Sequence, residues 1–513
     1  MTAPTIMIQG TGSSVGKSLF ATALCRFFRR EGIRVAPFKA QNMALNAAVT
    51  PDGLEIGRAQ AVQAEAAGLE PAVEMNPILL KPEADSRSQV VVMGKPLGSM
   101  TAVEYHLHKP HLQGVIADCL HRLRERHELV IIEGAGSPAE INLKDRDIVN
   151  MHVARVADAP VFLVGDIDRG GVFAAFVGTL ELLEPHERAR IAAFVVNKFR
   201  GDIALLRPGL DFLTGRTGVP VLGVVPYVPR LRIADEDSVS LEDRAGRRRP
   251  GGDQLDIVVV RLPRISNYDD VEPLEHEPGV VVRFAERAAE VRGADLVILP
   301  GSKNTATDLA WLRATEIAQV VEERARAGEP VLGLCGGCQM LGEVLEDAEG
   351  VESVEKRVVG LGLLPLRTRF ERAKIVAQVR VRAVDPSFLT ADADAGEEFT
   401  GYEIHMGVAE KTAPSATPFE IVSRSGRPER VADGAVDATG TVVGTMIHGL
   451  LENRAVRAGL LSHLRRRKGL SEPPRADIAI PSKQAEYDRL EAAVRAHIDR
   501  DLLWRISRLD ARR

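Results

Sequence analysis

Short apolar runs alternate with longer amphipathic segments along most of the chain. In the first half, six such runs have the length and the Val, Ile and Leu content of single strands: Ile6 to Ile8, Arg34 to Phe38, Leu129 to Ile132, Val161 to Val164, Ile191 to Val196 and Val221 to Val224. Apolar runs separated by helical patterns are typical of parallel strands joined by helices. We therefore predict an α/β fold in which this half forms a doubly wound parallel sheet.

A polar, charged stretch that closes with Pro-Gly-Gly separates this series from a second one. The second series predicts strands at Asp256 to Val260, Val280 to Phe284, Leu296 to Leu299 and Val331 to Leu334. A chain of 513 residues exceeds the usual size of one hydrophobic core. We predict a first domain at 1–235, a linker at 236–254, a second α/β domain at 255–481, and a terminal helix at 482–513 that packs on its own domain.

The composition argues against a nucleic-acid-binding protein, a membrane-spanning protein and a disulfide-rich protein. The net charge is -5, from 66 basic and 71 acidic residues, and the basic clusters are short, so we expect no nucleic-acid partner. No stretch reads as a signal peptide or is long and apolar enough to span a membrane. Four scattered cysteines are too few for a disulfide framework, and we expect a cytoplasmic protein.

The first predicted strand leads into a glycine-rich loop, Gly10-Thr-Gly12-Ser-Ser-Val-Gly16-Lys17-Ser18, and then into a helical pattern. Backbone N–H groups of such a loop can turn toward phosphate oxygens, while Lys17 and the Ser18 hydroxyl can serve phosphate and Mg²⁺. Thr11 stands where the simple phosphate-loop rule has its first glycine. This variant resembles the loop of dethiobiotin synthetase and its relatives, which activate carboxylates with ATP. The alternative is a glycine-rich turn without a ligand.

Polar residues also follow later strands, where a doubly wound sheet places its ligands. Glu133 ends one strand and is the first candidate for a second Mg²⁺ ligand, although Asp166 and Asp168 end the next strand in a similar way. For each acid, a capping or turn role is an equal alternative. Asn197 is a candidate for contact with the nucleotide base. The aspartates in 142–147 suit either an activated substrate carboxylate or a solvated loop.

The stretch Gly333-Leu-Cys335-Gly336-Gly337 lies between a predicted strand and a helical pattern. Strand, tight glycine turn and helix form the geometry of a nucleophile elbow, and the helix N-terminus favours a thiolate at Cys335. The Gly336 N–H then faces the developing oxyanion. Zinc binding or a redox pair with Cys338 are the alternatives, less favoured because no second ligand pair exists and the motif lies deep in the strand series.

A cysteine nucleophile needs a base, and His is the side chain suited to take up and return a proton near neutral pH. His448 ends an apolar run and precedes a glycine, about a hundred residues after the cysteine, and His405 has a similar setting. Position alone does not rank one above the other.

Taken together, these motifs resemble the cobyric acid synthase family, the glutamine-dependent amidotransferases of cobalamin biosynthesis. Besides the phosphate loop, the Cys335 elbow and the His448 segment, the matching stretches are 37–46, 133–142, 165–171 and 299–304. The resemblance implies a class I glutamine amidotransferase second domain, with Cys335 as nucleophile, His448 as base and the Gly301 loop as a second oxyanion donor. The usual His-x-Glu arrangement is missing here, so the third member of the site stays open, with Glu452 only nearby in sequence.

The resemblance also implies the reaction and its small-molecule partners. ATP and Mg²⁺ activate a corrinoid carboxylate, glutamine supplies nitrogen through a shielded route, and the b, d, e and g side chains of adenosylcobyrinic acid a,c-diamide are amidated to give adenosylcobyric acid. Rival interpretations are cobyrinic acid a,c-diamide synthase, a ligase of cell-wall amides, and a nucleotide-dependent switch with a noncatalytic amidotransferase domain. The oligomeric state stays open, a homo-oligomer included.

Overall fold

The chain is organised around two parallel sheets, one in each half. The computed structural model describes residues 2–84, 86–229, 231–233, 250–391, 396–471 and 482–509. The first sheet is parallel throughout, and its strands lie in the order Val221–Pro226, Ile191–Phe199, Val161–Asp166, Thr5–Gly10, Leu129–Glu133 and Val35–Phe38. All six strands predicted for this half are confirmed. They were recognisable in the sequence because helices cover both faces of a parallel sheet, so its strands are apolar along nearly their whole length.

The second sheet has the order Val280–Ala285, Leu255–Val260, Leu296–Leu299, Val331–Leu334, Val442–Thr445 and Ala435–Val436. Only the last pairing is antiparallel. The four predicted strands are confirmed here too. Residues 236–249 of the predicted linker and 472–481 of the predicted second domain lie outside the described residues, so the domain boundaries stay a prediction.

Helices cover these sheets and connect their strands. The α-helices are Lys17–Arg30, Arg58–Ala67, Ala102–Arg126, Met151–Ala157, Val172–Leu182, Pro185–Arg188, Ile203–Thr217, Glu272–Glu275, Ala288–Val291, Thr305–Ala314, Ile317–Arg326, Gly336–Leu341, Arg454–Lys468, Lys483–Arg495 and Arg500–Ile506. Short 3₁₀ helices occupy Val73–Met75, Ile141–Arg146, Tyr268–Val271 and Leu450–Glu452. Within the described ranges, no helix combines the length and apolarity that a membrane crossing requires.

Two further sheets, which the apolar pattern does not predict, lie where the halves meet. The first half adds Gln41–Met43, Ile78–Ala84, Arg87–Val92 and Lys95–Thr101, and the second half adds Arg357–Val359, Val344–Glu346, Leu366–Ala383, Phe419–Arg424 and Arg427–Asp433, with Glu398–Lys411 paired to Leu366–Ala383. The short pairs are Ala47–Val49 with Glu55–Gly57, and Ile265–Ser266 with Gly301–Ser302. A small apolar cluster that includes Ala47, Leu79 and Ile404 joins the two halves.

The terminal segment differs from the expected single helix on its own domain. It forms the two helices Lys483–Arg495 and Arg500–Ile506, and both pack on the first domain. Trp504 meets Phe28 edge to face with ring centroids 5.7 Å apart, and Asp488 pairs with Arg26 at 2.8 Å. An amphipathic pattern specifies an apolar face but not the surface that it covers, which is why the sequence misassigned this contact.

Candidate functional site

Cys335 occupies a tight turn between the strand Val331–Leu334 and the helix Gly336–Leu341. Its φ of 48° and ψ of -106° lie in a region that non-glycine residues adopt only at a cost, so the surrounding structure must hold it there. A Cβ on Gly337 would lie 1.9 Å from the Leu299 carbonyl oxygen, and one on Gly336 would lie 2.7 Å from the Ser302 nitrogen. The glycines are therefore required by close packing, and the predicted elbow is present.

His448 lies against this turn and is held by an acid. Its Nδ1 is 2.6 Å from Asp270 Oδ2, and the Gly449 N–H donates to Asp270 Oδ1 at 2.8 Å. The other ring nitrogen is not engaged by Asp270, and the charge of Cys335 acts on the imidazole. The Cys335 thiol itself donates to the Ile404 carbonyl at 3.8 Å. Burial lowers the pKa of His448, but the negative charges of Asp270 and Cys335 outweigh it and raise this pKa to about 10. The arrangement therefore favours a proton on the imidazole next to the sulfur.

The structure ranks the two histidines that the sequence left equal. His405 is also buried beside Cys335, but its Nδ1 contacts the Gly407 carbonyl at 2.6 Å and its Nε2 contacts Glu403 at 3.3 Å. Both of its ring nitrogens are thus engaged away from the sulfur. His448 is the imidazole that is held by Asp270 and whose pKa the charge of Cys335 raises.

Asp270 is a site residue that the sequence interpretation missed. It lies in the 3₁₀ helix Tyr268–Val271 and is 178 residues from His448 in the chain, so no local spacing marks it. The sequence offered one signal for this acid. The acidic pair in Tyr268-Asp269-Asp270 follows the first predicted strand of the second half, Asp256 to Val260. Glu452, the acid near His448 in sequence, instead pairs with Lys483 at 3.1 Å.

Cys338 does not join Cys335 in a pair. Both are free thiols, and complete burial of Cys338 raises the pKa of its thiol well above the ordinary value. In the part of the chain that the structure describes, no three His, Cys, Asp or Glu side chains are grouped to hold a metal ion. The geometry therefore supports neither the zinc interpretation nor the redox interpretation of this motif.

A small cavity of about 30 Å³ lies next to the sulfur and is built by both halves of the chain. Lys81 comes from the first half, whereas Ser302, Lys303, Lys374 and Ile404 come from the second. Gly301 borders the imidazole as well, since a Cβ there would lie 3.2 Å from His448 Cε1. The two glycines predicted as oxyanion donors, Gly336 and Gly301, thus flank Cys335 and His448.

The phosphate loop has its own set of internal contacts. Lys17 Nζ donates to the carbonyl oxygens of Gly12, at 2.8 Å, and Gly136, at 3.1 Å. Gly16 has a φ of 96°, and a Cβ there would lie 2.1 Å from Asn197 Nδ2. That amide donates to the Val15 carbonyl at 2.9 Å, so Asn197 supports the back of the loop.

Glu133 lies directly beneath this loop. Its buried carboxylate accepts hydrogen bonds from Ser18 Oγ at 2.8 Å, Lys39 Nζ at 2.9 Å and Gln63 Nε2 at 2.6 Å. A carboxylate and a hydroxyl side by side at a phosphate loop are oxygen donors of the kind that Mg²⁺ takes, so this pair fits the ion. Lys39 and Gln63 were not predicted to contact Glu133.

The other acids are engaged elsewhere. Asp166 pairs with Lys198 at 2.9 Å, and Asp168 pairs with Arg200 at 3.2 Å. Asp147 accepts from the backbone N–H groups of 149, 150 and 152, at the start of the helix Met151–Ala157, and so serves as a structural cap. Of the acids predicted as magnesium ligands, Glu133 is the one that contacts Ser18.

Two large cavities open beside the loop. One of about 760 Å³ borders Lys17, Lys39 and Asn42 and carries the cationic side chains of Lys109 and Arg155. The other, of about 620 Å³, is lined by Asn197, Lys198, Pro226 and Tyr227 among others. The first suits an acidic molecule of considerable size, and the second has room for a nucleotide base and ribose.

Comparisons with known proteins identify a domain of known type in each half of the chain. Residues 6–241 match the family model described as the CobQ/CobB/MinD/ParA nucleotide binding domain, and residues 256–456 match the CobB/CobQ-like glutamine amidotransferase domain. Among similar curated proteins, the cobyric acid synthase of Sorangium cellulosum is 65% identical over 523 residues and covers 100% of both chains.

Two further relatives also match over nearly the full length of both chains. The cobyric acid synthase of Dehalococcoides mccartyi strain CBDB1 is 51% identical and covers 98% of each chain. The cobyric acid synthase of Moorella thermoacetica is 50% identical and covers 97% of this chain and 96% of its own. The chain therefore belongs to the cobyric acid synthase family.

Proposed function

We propose that the protein uses ATP and glutamine to amidate the b, d, e and g carboxylates of adenosylcobyrinic acid a,c-diamide, which yields adenosylcobyric acid. Membership of the cobyric acid synthase family over the full chain supports the reaction. The observation that carries the proposal is the placement of His448 between Asp270 and Cys335. This is the geometry that a cysteine-dependent release of ammonia from glutamine requires.

Glutamine hydrolysis begins at Cys335. With the proton held on His448, the sulfur attacks the side-chain amide carbon, and the N–H groups of Gly336 and Gly301 receive the negative charge that develops on oxygen. His448 then gives its proton to the leaving nitrogen, and ammonia departs. Water, deprotonated by His448, hydrolyses the thioester that remains and releases glutamate. Asp270 keeps the imidazole oriented and stabilises its charge during both steps.

The phosphate loop activates the acid. An oxygen of the corrinoid carboxylate attacks the terminal phosphorus of ATP, ADP leaves, and the acyl phosphate then loses phosphate when ammonia adds to the carbonyl carbon. Lys17 and the N–H groups of Gly12 and Gly16 neutralise and orient the phosphates. Ser18 and Glu133 would hold Mg²⁺, which supplies further charge neutralisation when bound.

The larger cavity beside the loop supports the substrate class. The lining of this cavity of about 760 Å³ has six Lys and Arg side chains against four carboxylates, an excess of positive charge that favours a bulky acidic molecule. Lys17 and Lys39 also line it, and they contact Gly12 of the phosphate loop and Glu133, respectively. An acid bound there reaches the phosphate end of the nucleotide.

A series of buried polar side chains supports a shielded route for ammonia. Asn267 borders the Cys335 cavity and accepts a hydrogen bond from the Ala47 N–H at 3.0 Å. The adjacent Asn46 is fully buried, and neither polar atom of its amide has a hydrogen-bond partner within the described ranges. Further along, Asn42 donates to Gln60 at 3.0 Å and borders the larger cavity. Neutral ammonia can be passed along such groups, whereas in bulk water at neutral pH it is mostly ammonium.

Mass spectrometry of the corrinoid products tests the proposal. With ATP, Mg²⁺ and glutamine supplied, the a,c-diamide should lose about one mass unit four times in succession, since each step replaces OH by NH₂. Cobyrinic acid with free a and c carboxylates is the control substrate, and selective conversion of that compound to the a,c-diamide would favour the rival synthase. No mass change of either compound, with ATP hydrolysis retained, would favour a nucleotide-dependent switch.

A further inference from the structure

One arginine of the first domain reaches into the Cys335 site of the second. Arg58 is the first residue of the helix Arg58–Ala67, and its side chain is 16% exposed. Its Nη2 donates to the Tyr402 hydroxyl at 2.6 Å and pairs with Asp269 Oδ2 at 2.9 Å. The guanidinium carbon lies 5.2 Å from the centre of the Tyr402 ring. Arg58 therefore holds two residues of the other domain at once.

Both of these partners adjoin His448. The Tyr402 ring stacks on the imidazole with centroids 5.2 Å apart and an interplanar angle of 17°. The backbones of the two residues also exchange hydrogen bonds, from His448 N–H to the Tyr402 carbonyl at 2.8 Å and from Tyr402 N–H to the His448 carbonyl at 3.0 Å. Asp269 directly precedes Asp270, which binds the imidazole Nδ1. The contacts of Arg58 thus fix both the face and the edge of the imidazole.

The same helix also contacts the phosphate-loop site. Gln63, less than two turns after Arg58, donates to Glu133 at 2.6 Å, and Glu133 in turn accepts from Ser18. A displacement of Glu133 on nucleotide binding would therefore be transmitted through Gln63 to the helix that carries Arg58. One rigid element touches both sites, which is the physical link that a coupling between them needs.

We propose that Arg58 is a positioning residue that couples the nucleotide site to His448, so that glutamine hydrolysis accelerates when ATP and the corrinoid acid are bound. The proposal rests on the glutaminase role of Cys335 and His448 proposed above. Arg58 lies on Tyr402 and Asp269, so it acts through them and not on the glutamine itself. Its loss should lower kcat more than it changes KM for glutamine.

The test measures glutamate release by wild type, Arg58→Gln and Arg58→Lys, with and without ATP, Mg²⁺ and the corrinoid acceptor. Coupling between sites commonly amounts to about 5–150-fold. We expect wild-type glutaminase to be stimulated within this range and the stimulation of Arg58→Gln to fall to about one, with KM for glutamine changed by less than about threefold. Arg58→Lys should retain part of the stimulation, because it keeps the charge but not the paired donors.

Ammonium-supported amidation provides the internal control, since it bypasses glutamine and should stay within about twofold of wild type in Arg58→Gln. Arg264→Gln is the matched variant: Arg264 Nε donates across the same interface to the Glu83 carbonyl at 3.2 Å. It should keep the wild-type stimulation ratio. A general weakening of the interface would lower this ratio in both variants and would contradict a specific role for Arg58.

The outcomes separate this proposal from the function on which it rests. A wild-type stimulation ratio in Arg58→Gln would overturn the coupling role and leave the glutaminase intact. No glutamate release by wild type under any condition would instead overturn the proposed function. If Arg58→Gln does not fold, the double variant Tyr402→Phe/Asp269→Asn decides, because it keeps the ring on His448 and removes both the hydroxyl and the carboxylate that Arg58 binds. An undiminished stimulation ratio in this double variant would then contradict the proposal.

Discussion

The two sites of this chain are built in opposite ways. Cys335 is 6% exposed, its backbone is held at a positive φ, and the adjoining cavity is about 30 Å³. At the phosphate loop the key groups lie beside cavities of about 760 and 620 Å³ and bind one another. Lys17, for example, donates to two backbone carbonyl oxygens of the chain itself.

The difference reflects what each site has to do. A thiol nucleophile needs its charge partner in place before the substrate arrives, so Asp270 already holds His448, and the charge of Cys335 acts on that imidazole. In a nucleotide site, the internal hydrogen bonds have to give way to bonds with phosphate oxygens. Lys17 and Ser18 are therefore bound to groups of the chain that the nucleotide and its ion can replace. Variants of the first site should therefore abolish ammonia release alone. Variants of the second should abolish the use of ammonia and leave the unstimulated release of ammonia in place.

The largest expected effect is that of Cys335→Ala. Removal of the nucleophile should lower glutamate release by about 10⁴–10⁶-fold. Amidation with ammonium salts should persist, because the phosphate loop is untouched. Product formation from each nitrogen source is measured, with Cys338→Ala as the matched control that retains glutaminase. Equal loss of both activities in Cys335→Ala would contradict the separation of the sites.

Asp270→Asn should lower glutaminase by about 10²–10⁴-fold and change its pH dependence. In wild type the pKa of His448 is raised to about 10, so the proton is retained as pH rises through neutrality and is lost only near that value. Without the Asp270 carboxylate, the larger of the two charges that raise this pKa is lost, so the pKa falls and the alkaline limb of kcat should move to lower pH. Glutaminase rates across the pH range check this shift. Glu452→Gln is the control, and a shift there with none in Asp270→Asn would refute the assignment.

Lys17→Ala should reduce amidation by about 10²–10³-fold, while the glutaminase rate measured without ATP and the corrinoid acid remains. Ammonium salts should not rescue it, in contrast to Cys335→Ala, because the acid is no longer activated. Parallel assays of corrinoid amide and glutamate measure the two effects. Glutaminase that falls as far as amidation would show that the two sites are not separate.

Asn46→Leu should have the smallest effect. It should lower only the efficiency with which ammonia passes from the Cys335 site to the phosphate-loop site. Loss of one hydrogen-bonding group costs about 0.5–1.5 kcal/mol, which predicts about two- to tenfold less amide formed per glutamate released. Glutaminase itself should stay within about twofold of wild type. The ratio of the two products measures this transfer, with ammonium-supported amidation as the control. An unchanged ratio would remove Asn46 from the route.

Local signals account for the parts of the structure that the sequence predicted. The strands of both parallel sheets, the Lys17 loop and the Cys335 elbow are each marked by neighbouring residues within one strand-turn-helix unit. The placement of Glu133 near Ser18 follows as well, because carboxyl ends of parallel strands share one edge.

The remaining contacts depend on tertiary packing and leave no local mark. Asp270 meets His448 across 178 residues, and Gln63 meets Glu133 across 70. The strand Leu366–Ala383 carries many charged residues and alternates buried and exposed positions, so it did not stand out as an apolar run. Trp504 lies on a helix whose apolar face was recognisable, but its partner, Phe28, is near the opposite end of the chain.

The central claim is that Cys335 releases nitrogen which reaches an acid activated at the phosphate loop without passing through solvent. The most direct measurement supplies wild type with glutamine labelled by ¹⁵N at the side-chain amide, together with a large excess of unlabelled ammonium at neutral pH. We predict ¹⁵N in nearly all new corrinoid amides. Amides that carry mainly ¹⁴N, in proportion to the bulk ammonium, would contradict the account.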